Sequence, residues 1–195
     1  INLERYKMQP YPKHTRIHFL YLGRIMKEKG IDELFYAVRH LKKENENFVL
    51  DLVGFFEDEY KEQVKELEKH SIAHFYGFQS DPRPFYIEAD CVVLPSYHEG
   101  MSNVLLEAAA TGRPVITSNI PGCRESVENG KSGLLVEVKN KEMLYDAMKE
   151  MLHCSREERE QMGQAGREKM EREFRKEVVV EKTVQSLRED EKRDF

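Results

Sequence analysis

The stretch CVVLPSYHEGMSNVLLEAAATGRPVIT, residues 91–117, decides the fold. It begins and ends with short apolar runs, residues 91–94 and 114–117, which have the length and the β-branched content of buried strands. The segment between them holds a polar, glycine-containing loop followed by an apolar run of helix formers. We therefore expect a strand, a loop, a helix and a second strand in that order.

Two carboxylates fall within this unit. Ser102 or Asn103 can cap the helix and Gly112 can end it in the left-handed conformation, so Glu107 is expected near the first turn and Glu99 on the loop. Both would flank the positive end of a helix at the carboxyl edge of a strand. In doubly wound sheets ligands bind at that edge, and the free N–H groups of a helix start favour phosphate or hydroxyl oxygens.

The same alternation runs along most of the chain. Short β-rich runs occupy residues 17–22, 48–53, 73–76, 91–94, 115–117 and 134–136, with helical segments between them. Such alternation predicts right-handed βαβ units and an α/β fold with a parallel sheet. We expect a linker or extended arm over residues 1–15 and the sheet domain over residues 16–172.

Helix starts are marked by polar residues. Asp81 followed by Pro82 predicts a short helix, and Asn140 can cap a later one. Ser155 opens a capping box, with a charged helix expected through about Phe174. The last apolar pattern, within residues 178–187, is by itself typical of a solvated terminal helix.

Composition excludes several classes. With 195 residues, 34% charged residues and a net charge of −5, the chain is typical of one soluble domain and lacks the basic excess of a nucleic-acid binder. The cysteines at 91, 123 and 154 form no pair at ligand or disulfide spacing, so a reducing cytosol is expected. No apolar run is long enough for a transmembrane helix. The start at Ile1 rather than methionine favours a fragment of a longer protein.

Three motifs carry a resemblance to a known family. The segment from Glu99 to Glu107 resembles the Glu-(seven residues)-Glu signature of retaining glycosyltransferases of the GT-B fold, most closely family 4, which includes capsule and lipopolysaccharide sugar transferases. Residues 22–30, LGRIMKEKG, are similar to the donor-phosphate loop of that family, and residues 121–125, PGCRE, to its Pro-Gly-x-x-Glu turn. The motifs stand in family order, and the resemblance covers roughly residues 16–153.

The resemblance implies a role for each matching residue. The donor pyrophosphate would be bound by Arg24, Lys29 and the backbone N–H groups of Asn103 and Val104. The transferred sugar would contact Glu99, Gly100, Met101 and Ser102. The ribose would be bound by Glu107, and the base would lie against Gly77 and Phe78. Glu99 is expected to contact a sugar hydroxyl rather than to act as a covalent nucleophile. Residues 54–57, GFFE, depart from the small glycine-rich loop common in the family, which leaves the donor base open.

Simpler interpretations stand beside these roles. Glu99 could cap a turn, Glu107 could be a solvated helix residue, and Lys29 could form a loop ion pair, for example with Glu33. His98 precedes Glu99, but no second histidine lies at zinc-ligand spacing, so we interpret it as a loop residue. The chain has no Asp-x-Asp motif, and neither a metal nor another cofactor is expected.

The resemblance implies a Rossmann-like, donor-binding C-terminal half of a GT-B enzyme, with a terminal crossover helix over residues 173–195. Its partners would be a nucleotide sugar, most simply a UDP sugar, and an N-terminal acceptor half. The full-length enzyme would be cytoplasmic or peripheral to the inner face of the membrane and would act in surface-polysaccharide biosynthesis. Two alternatives remain: a glycogen- or sucrose-synthase-like transferase with a soluble acceptor, and a non-catalytic nucleotide-sugar-binding module.

Overall fold

A computed structural model describes residues 1–175 together with residues 178 and 180. In this part of the chain, six strands form one parallel sheet. They are β1 (Ile17–Leu22), β2 (Phe48–Val53), β3 (Ala73–Phe75), β4 (Cys91–Leu94), β5 (Val115–Ser118) and β6 (Gly133–Val136). The helices between and after them are α1 (Ile31–Lys43), α2 (Lys61–Lys69), α3 (Arg83–Glu88), α4 (Asn103–Ala110), α5 (Lys141–His153) and α6 (Arg156–Lys169). The predicted α/β fold with a parallel sheet is confirmed.

The strand order places a topological switch in the middle of the sheet. From edge to edge the order is β3-β2-β1-β4-β5-β6, so the chain winds outward in one direction from β1 and in the other from β4. β1 pairs with both β2 and β4. The connections that follow β1 and β4 therefore diverge, and a crevice opens between them at the carboxyl edge of the sheet.

Most predicted boundaries hold to within one residue. β3 ends at Phe75 rather than residue 76, and β6 begins one residue early, at Gly133. Asn140 caps α5 through its side chain, and Ser155 forms the predicted capping box with Glu158. The charged helix expected through Phe174 is α-helical only as far as Lys169, and Met170–Phe174 then form a π-helical turn.

The crossover helix expected over residues 173–195 falls almost entirely outside the described residues. None of the helices that the structure describes is long and apolar enough to cross a membrane.

The first fifteen residues form neither helix nor strand, yet they pack on the domain. Tyr6 and Tyr11 are buried, and Tyr11 donates a hydrogen bond to the carbonyl of Asp90. The anchor is Arg113, which is fully buried. Its guanidinium donates to the carbonyl oxygens of Gln9, Pro10, Tyr86, Ile87 and Gly112. The charge is thereby distributed over main-chain dipoles, and the arm is fixed beside α3 and the end of α4.

Helix α4 is braced from behind by α6. A Cβ atom added at Gly163 of α6 would lie 2.1 Å from the carbonyl oxygen of Gly112, which follows α4. One turn later, a Cβ atom at Gly166 would lie 3.5 Å from that of Ala109. Gly163 therefore allows an approach that a Cβ atom would prevent, whereas a Cβ atom at Gly166 would make an ordinary van der Waals contact. This contact lies away from the crevice that the start of α4 faces.

Candidate functional site

A cavity of about 300 Å³ lies at the carboxyl ends of β1 and β4, in the crevice made by the switch in strand order. It brings together residues from the loop after β1, the loop after β4 and the start of α4. Its lining consists of Leu22, Gly23, Arg24, Lys29, Leu94, Glu99, Met101, Ser102, Asn103 and Val104. Seven of the residues singled out from the sequence thus meet in one place, and Gly77, Phe78, Gly100 and Glu107 are not among those lining it.

The two predicted cations both reach this cavity and are both ion-paired. Arg24 follows β1 and forms a 2.7 Å salt bridge with Glu57, in which both side chains are almost half exposed. Lys29 ends the loop and places its Nζ 2.6 Å from Oε1 of Glu99. The suggested pair between Lys29 and Glu33 is wrong, because Glu33 instead accepts hydrogen bonds from the hydroxyl of Tyr97.

Glu99 is mostly buried and has a second donor. The hydroxyl of Ser96, which is itself fully buried, donates to the same Oε1 at 2.8 Å. Among the described residues, no hydrogen bond is made to Oε2 of Glu99. The carboxylate is therefore fixed at one oxygen, by a cation and a hydroxyl, and keeps acceptor capacity at the other.

The Glu99 loop rests on the Pro-Gly-x-x-Glu turn that follows β5. The N–H of Ser102 donates to the carbonyl of Gly122 at 3.0 Å, and the N–H of Gly122 donates to the carboxylate of Glu125 at 2.8 Å. Burial raises the pKa of the neighbouring Cys123 thiol to about 11, so it stays protonated at neutral pH. The turn thus supports the loop that carries Glu99.

The start of α4 points at the cavity. Ser102 occupies the cap position as predicted, but its side chain makes no capping hydrogen bond. Asn103 and Val104 are the first two helical residues, so their N–H groups lack partners within the helix. Gly112 adopts the predicted left-handed conformation, with a φ of 82°. The structure therefore offers an uncapped helix start beside Lys29 and Arg24, which is an environment suited to an anion.

Glu107 lies near the first turn of α4, where the sequence placed it. It is the fifth helical residue, because Ser102 is the cap and the helix begins at Asn103. It is half-buried and accepts a 2.9 Å hydrogen bond from the hydroxyl of Tyr86 in α3. The interpretation of Glu107 as a freely solvated helix residue is therefore wrong.

The loop proposed for the base lies beside the ends of β2 and β3. The N–H of Gly54 donates to the carbonyl of Gly77 at 2.9 Å, which ties the two loops together. Phe78 is 69% exposed and Phe55 47% exposed, and their rings meet edge to face at 6.4 Å between centroids. Within residues 54–57, which differ from the family pattern, Phe55 thus adds an exposed aromatic ring beside the loop that carries Phe78.

His98 is exposed on the loop before Glu99. Across the described residues, no group of three or more His, Cys, Asp or Glu side chains is placed to hold a metal ion.

Comparison with known proteins identifies the family. The family model described as glycosyl transferases group 1 matches residues 4–169, which is most of the chain. This protein belongs to the group 1 glycosyltransferases. It is 30% identical over 164 residues to the capsular polysaccharide biosynthesis glycosyltransferase CapM of Staphylococcus aureus, a match that covers 83% of this chain and 43% of CapM.

Solved structures of GT-B glycosyltransferases have the same fold as this chain. Sucrose-phosphate synthase from Thermosynechococcus elongatus superposes with a TM-score of 0.80 and 26% identity, covering 97% of this chain and 50% of that one. HepE from Anabaena, in complex with UDP, gives a TM-score of 0.80 at 18% identity, covering 97% and 56%. The present group 1 chain spans about half the length of the relatives that it matches.

Sequence reasoning missed three supporting residues of this group 1 domain: Ser96, Tyr86 and Tyr97. Ser96 stands three residues before Glu99, a spacing that a turn can close, so a signal existed. Tyr86 and Tyr97 bond to carboxylates 21 and 64 residues away along the chain, and no local pattern indicates such pairs.

Proposed function

We propose that this chain is the donor-binding, C-terminal half of a retaining glycosyltransferase that uses a UDP sugar. The acceptor would be lipid-linked or a saccharide, in surface-polysaccharide biosynthesis. The relationship to CapM supports the pathway, and the fold shared with the UDP complex of HepE supports the donor. The acceptor site would be supplied by an N-terminal half.

One observation carries the proposal: two cations and a helix start converge on a single cavity at the switch point of the sheet. A nucleoside diphosphate carries its negative charge on two adjacent phosphates. Cationic side chains and the N–H groups of a helix start both stabilise such charge. Arg24 can grip two oxygens at once, whereas Lys29 acts as a point charge. The N–H groups of Asn103 and Val104 add donors whose position is fixed by the helix.

The ion pair between Lys29 and Glu99 suggests how donor binding proceeds. The Lys29 ammonium has three donors and uses one on Glu99, so it can bridge to phosphate without leaving the carboxylate. Glu99 would then accept a hydroxyl of the transferred sugar at Oε2, while Ser96 keeps Oε1 in place. Sugar and leaving group are thus held on adjacent parts of one network.

Catalysis in this scheme depends on stabilising the leaving diphosphate. The bond to the anomeric carbon breaks as negative charge grows on the diphosphate, where Arg24, Lys29 and the α4 start are placed. Glu107 would hold the ribose, and Gly77 and Phe78 the base. Closure of the N-terminal half would bring the acceptor and exclude water.

Binding of the donor can be tested with this chain alone. Calorimetry with UDP, other nucleoside diphosphates and free uridine should show selective binding of a diphosphate. Lys29→Ala should weaken diphosphate binding at least tenfold and leave uridine binding unchanged. Lys149→Ala is the matched control, since Lys149 forms an equally short 2.6 Å ion pair, with Glu44 on the opposite part of the domain. Equal losses for uridine and UDP, or equal losses in both variants, would contradict the phosphate assignment.

Transfer requires the longer protein. The isolated chain should bind donor without transferring sugar, and restoring an N-terminal half should give a product with retained α-configuration. Glu99→Ala in that longer protein should lower turnover more than nucleotide affinity. Transfer by the isolated chain would refute the claim that an N-terminal half must supply the acceptor site. A product with inverted configuration would refute the retaining mechanism.

A second candidate function is a sucrose- or glycogen-synthase-like transfer to a soluble acceptor. The superposition on sucrose-phosphate synthase, at a TM-score of 0.80 and 26% identity, favours it. Offering the longer protein a sugar phosphate, an oligosaccharide and a lipid-linked saccharide in parallel distinguishes the two functions. Donor binding without transfer to any acceptor would instead favour a non-catalytic module.

A further inference from the structure

The carboxylate of Glu107 is held by the hydroxyl of Tyr86. Tyr86, on α3, is fully buried and donates to Oε2 of Glu107 at 2.9 Å. Tyr6, in the N-terminal arm, is also buried and packs beside Tyr86. The two rings meet edge to face, with centroids 6.2 Å apart.

Both tyrosine hydroxyls near Glu107 are neutral. Burial, together with the nearby charge of Glu107, raises the pKa of Tyr86 well above its ordinary value. The same causes raise the pKa of Tyr6 to about 12. Both side chains therefore keep their protons at physiological pH, so Tyr86 orients the carboxylate without neutralising its charge.

Tyr86 is fixed at both ends. Its hydroxyl holds Glu107, and its carbonyl oxygen accepts a 2.9 Å hydrogen bond from Nε of the buried Arg113. A residue held at its backbone and at its tip has little freedom to shift. The direction of the Glu107 carboxylate is therefore set by α3 and the arm, as well as by α4 itself.

Glu107 lies beside the cavity at the helix start. Val104, three residues earlier on α4, lines that cavity, and residues three apart share one face of a helix. A group bound at the start of α4 and extending along this face would meet Glu107 next. In a nucleoside diphosphate the ribose is the group that follows the phosphates.

We propose that Tyr86 is a positioning residue that aims the Glu107 carboxylate at the two ribose hydroxyls of the donor. The inference rests on the proposed function and deepens it. A carboxylate has about four lone-pair sites. The Tyr86 hydroxyl occupies one of them, and the others remain for the 2′- and 3′-hydroxyls. Because Tyr86 leaves the charge intact, the remaining sites are strong acceptors.

The test compares UDP with 2′,3′-dideoxy-UDP by calorimetry on wild type, Tyr86→Phe, Glu107→Gln and the double variant. Tyr86→Phe should weaken UDP about tenfold, or about 1.4 kcal/mol at 25 °C, and leave the dideoxy analogue unchanged. In the Glu107→Gln background, the same substitution should have no further effect on UDP, since the two residues act as one unit. Tyr145→Phe is the matched control, because Tyr145 also donates to a glutamate, Glu44, away from the cavity.

The outcomes separate the inference from the proposed function. If Tyr86→Phe loses equal affinity for UDP and dideoxy-UDP, or loses affinity for neither, the positioning role is overturned while donor binding stays intact. Wild-type protein that binds no UDP would overturn the proposed function together with the inference. Wild-type protein that binds both nucleotides equally would overturn the ribose role of Glu107 and the inference, and would leave diphosphate binding standing. Should Tyr86→Phe prove unstable on thermal unfolding, Tyr86→His keeps a polar ring at this position, and the same selective loss of affinity for UDP over its dideoxy analogue decides.

Discussion

Replacement of Gly122 by alanine tests whether the turn after β5 supports the Glu99 loop. Gly122 has a φ of 84°, and a Cβ atom there would lie 1.4 Å from the carbonyl oxygen of Gly100. The same connection between β5 and β6 contains a matched control. Gly130 has a φ of 76°, and a Cβ atom there would have no heavy atom within 4 Å. The two alanine variants share the backbone strain and differ in the clash.

The strain common to both variants is about 1–2 kcal/mol, the cost of a left-handed conformation for an L-residue with a Cβ atom. In Gly122→Ala, the loop or the turn must also move by roughly 1.6 Å to restore an ordinary contact of about 3 Å. That shift breaks the hydrogen bond from Ser102 to Gly122, which contributes about 0.5–1.5 kcal/mol. We therefore expect Gly122→Ala to be less stable than Gly130→Ala by about 1 kcal/mol or more.

Urea denaturation of both variants measures that difference, and calorimetry with the nucleotide sugar measures its effect on the site. Gly130→Ala should bind the donor like wild type. Gly122→Ala should bind it at least tenfold more weakly, since the displaced loop carries Glu99 and the start of α4. Equal stability of the two variants would refute the supporting role of the turn, and unchanged donor affinity would show that the loop tolerates the shift.

Two further predictions concern the opposite side of the domain. Hydrogen bonding to Asp51 raises the pKa of His18, so its contribution to stability is complete below about pH 6.5 and is lost as the pH rises through the folded-state pKa. His18→Gln should flatten that part of the pH dependence of urea unfolding, and an unchanged slope would exclude His18 as the titrating group. Arg113→Ala should cost about 3 kcal/mol or more, because five carbonyl groups lose a charged donor. Arg156→Ala, which frees only two such carbonyls, should cost clearly less by the same assay, and equal costs would show that Arg113 is not the anchor of the arm.

The sheet and its order of elements were predictable because they depend on local patterns. Residues 91–94 and 115–117 are apolar and β-branched, and each strand forms where the pattern placed it. Asn140 and Ser155 marked the starts of α5 and α6, because their side chains cap the first N–H groups of these helices. Such signals lie within a few residues, so the sequence alone is enough to find them.

Seven of the eleven residues predicted for the site line one cavity, whereas the bonds that they make were not predictable. The motifs located Arg24, Lys29, Glu99 and the start of α4, which the structure brings to one cavity. The partner of Lys29 was not predictable, because Glu99 lies 70 residues away along the chain, while the nearby Glu33 is hydrogen-bonded to the hydroxyl of Tyr97 instead.

Arg113 shows a second limit of sequence reasoning. Between Gly112 and Pro114 it has the appearance of an ordinary surface cation. Its burial depends on carbonyl groups of the N-terminal arm more than a hundred residues away. A charged side chain stabilised by main-chain oxygens leaves no complementary charge in the sequence, so pattern analysis cannot find it.

The brace behind α4 has a consequence for how the cavity meets its ligand. Because Gly163 lets α6 contact the chain directly after α4, the helix is supported at the end opposite the cavity. The N–H groups at its start are therefore held in place before an anion arrives, and little reorganisation energy remains to be supplied on binding. A larger residue at position 163 would disturb this electrostatic preorganisation from the opposite end of the helix, without changing any residue that lines the cavity.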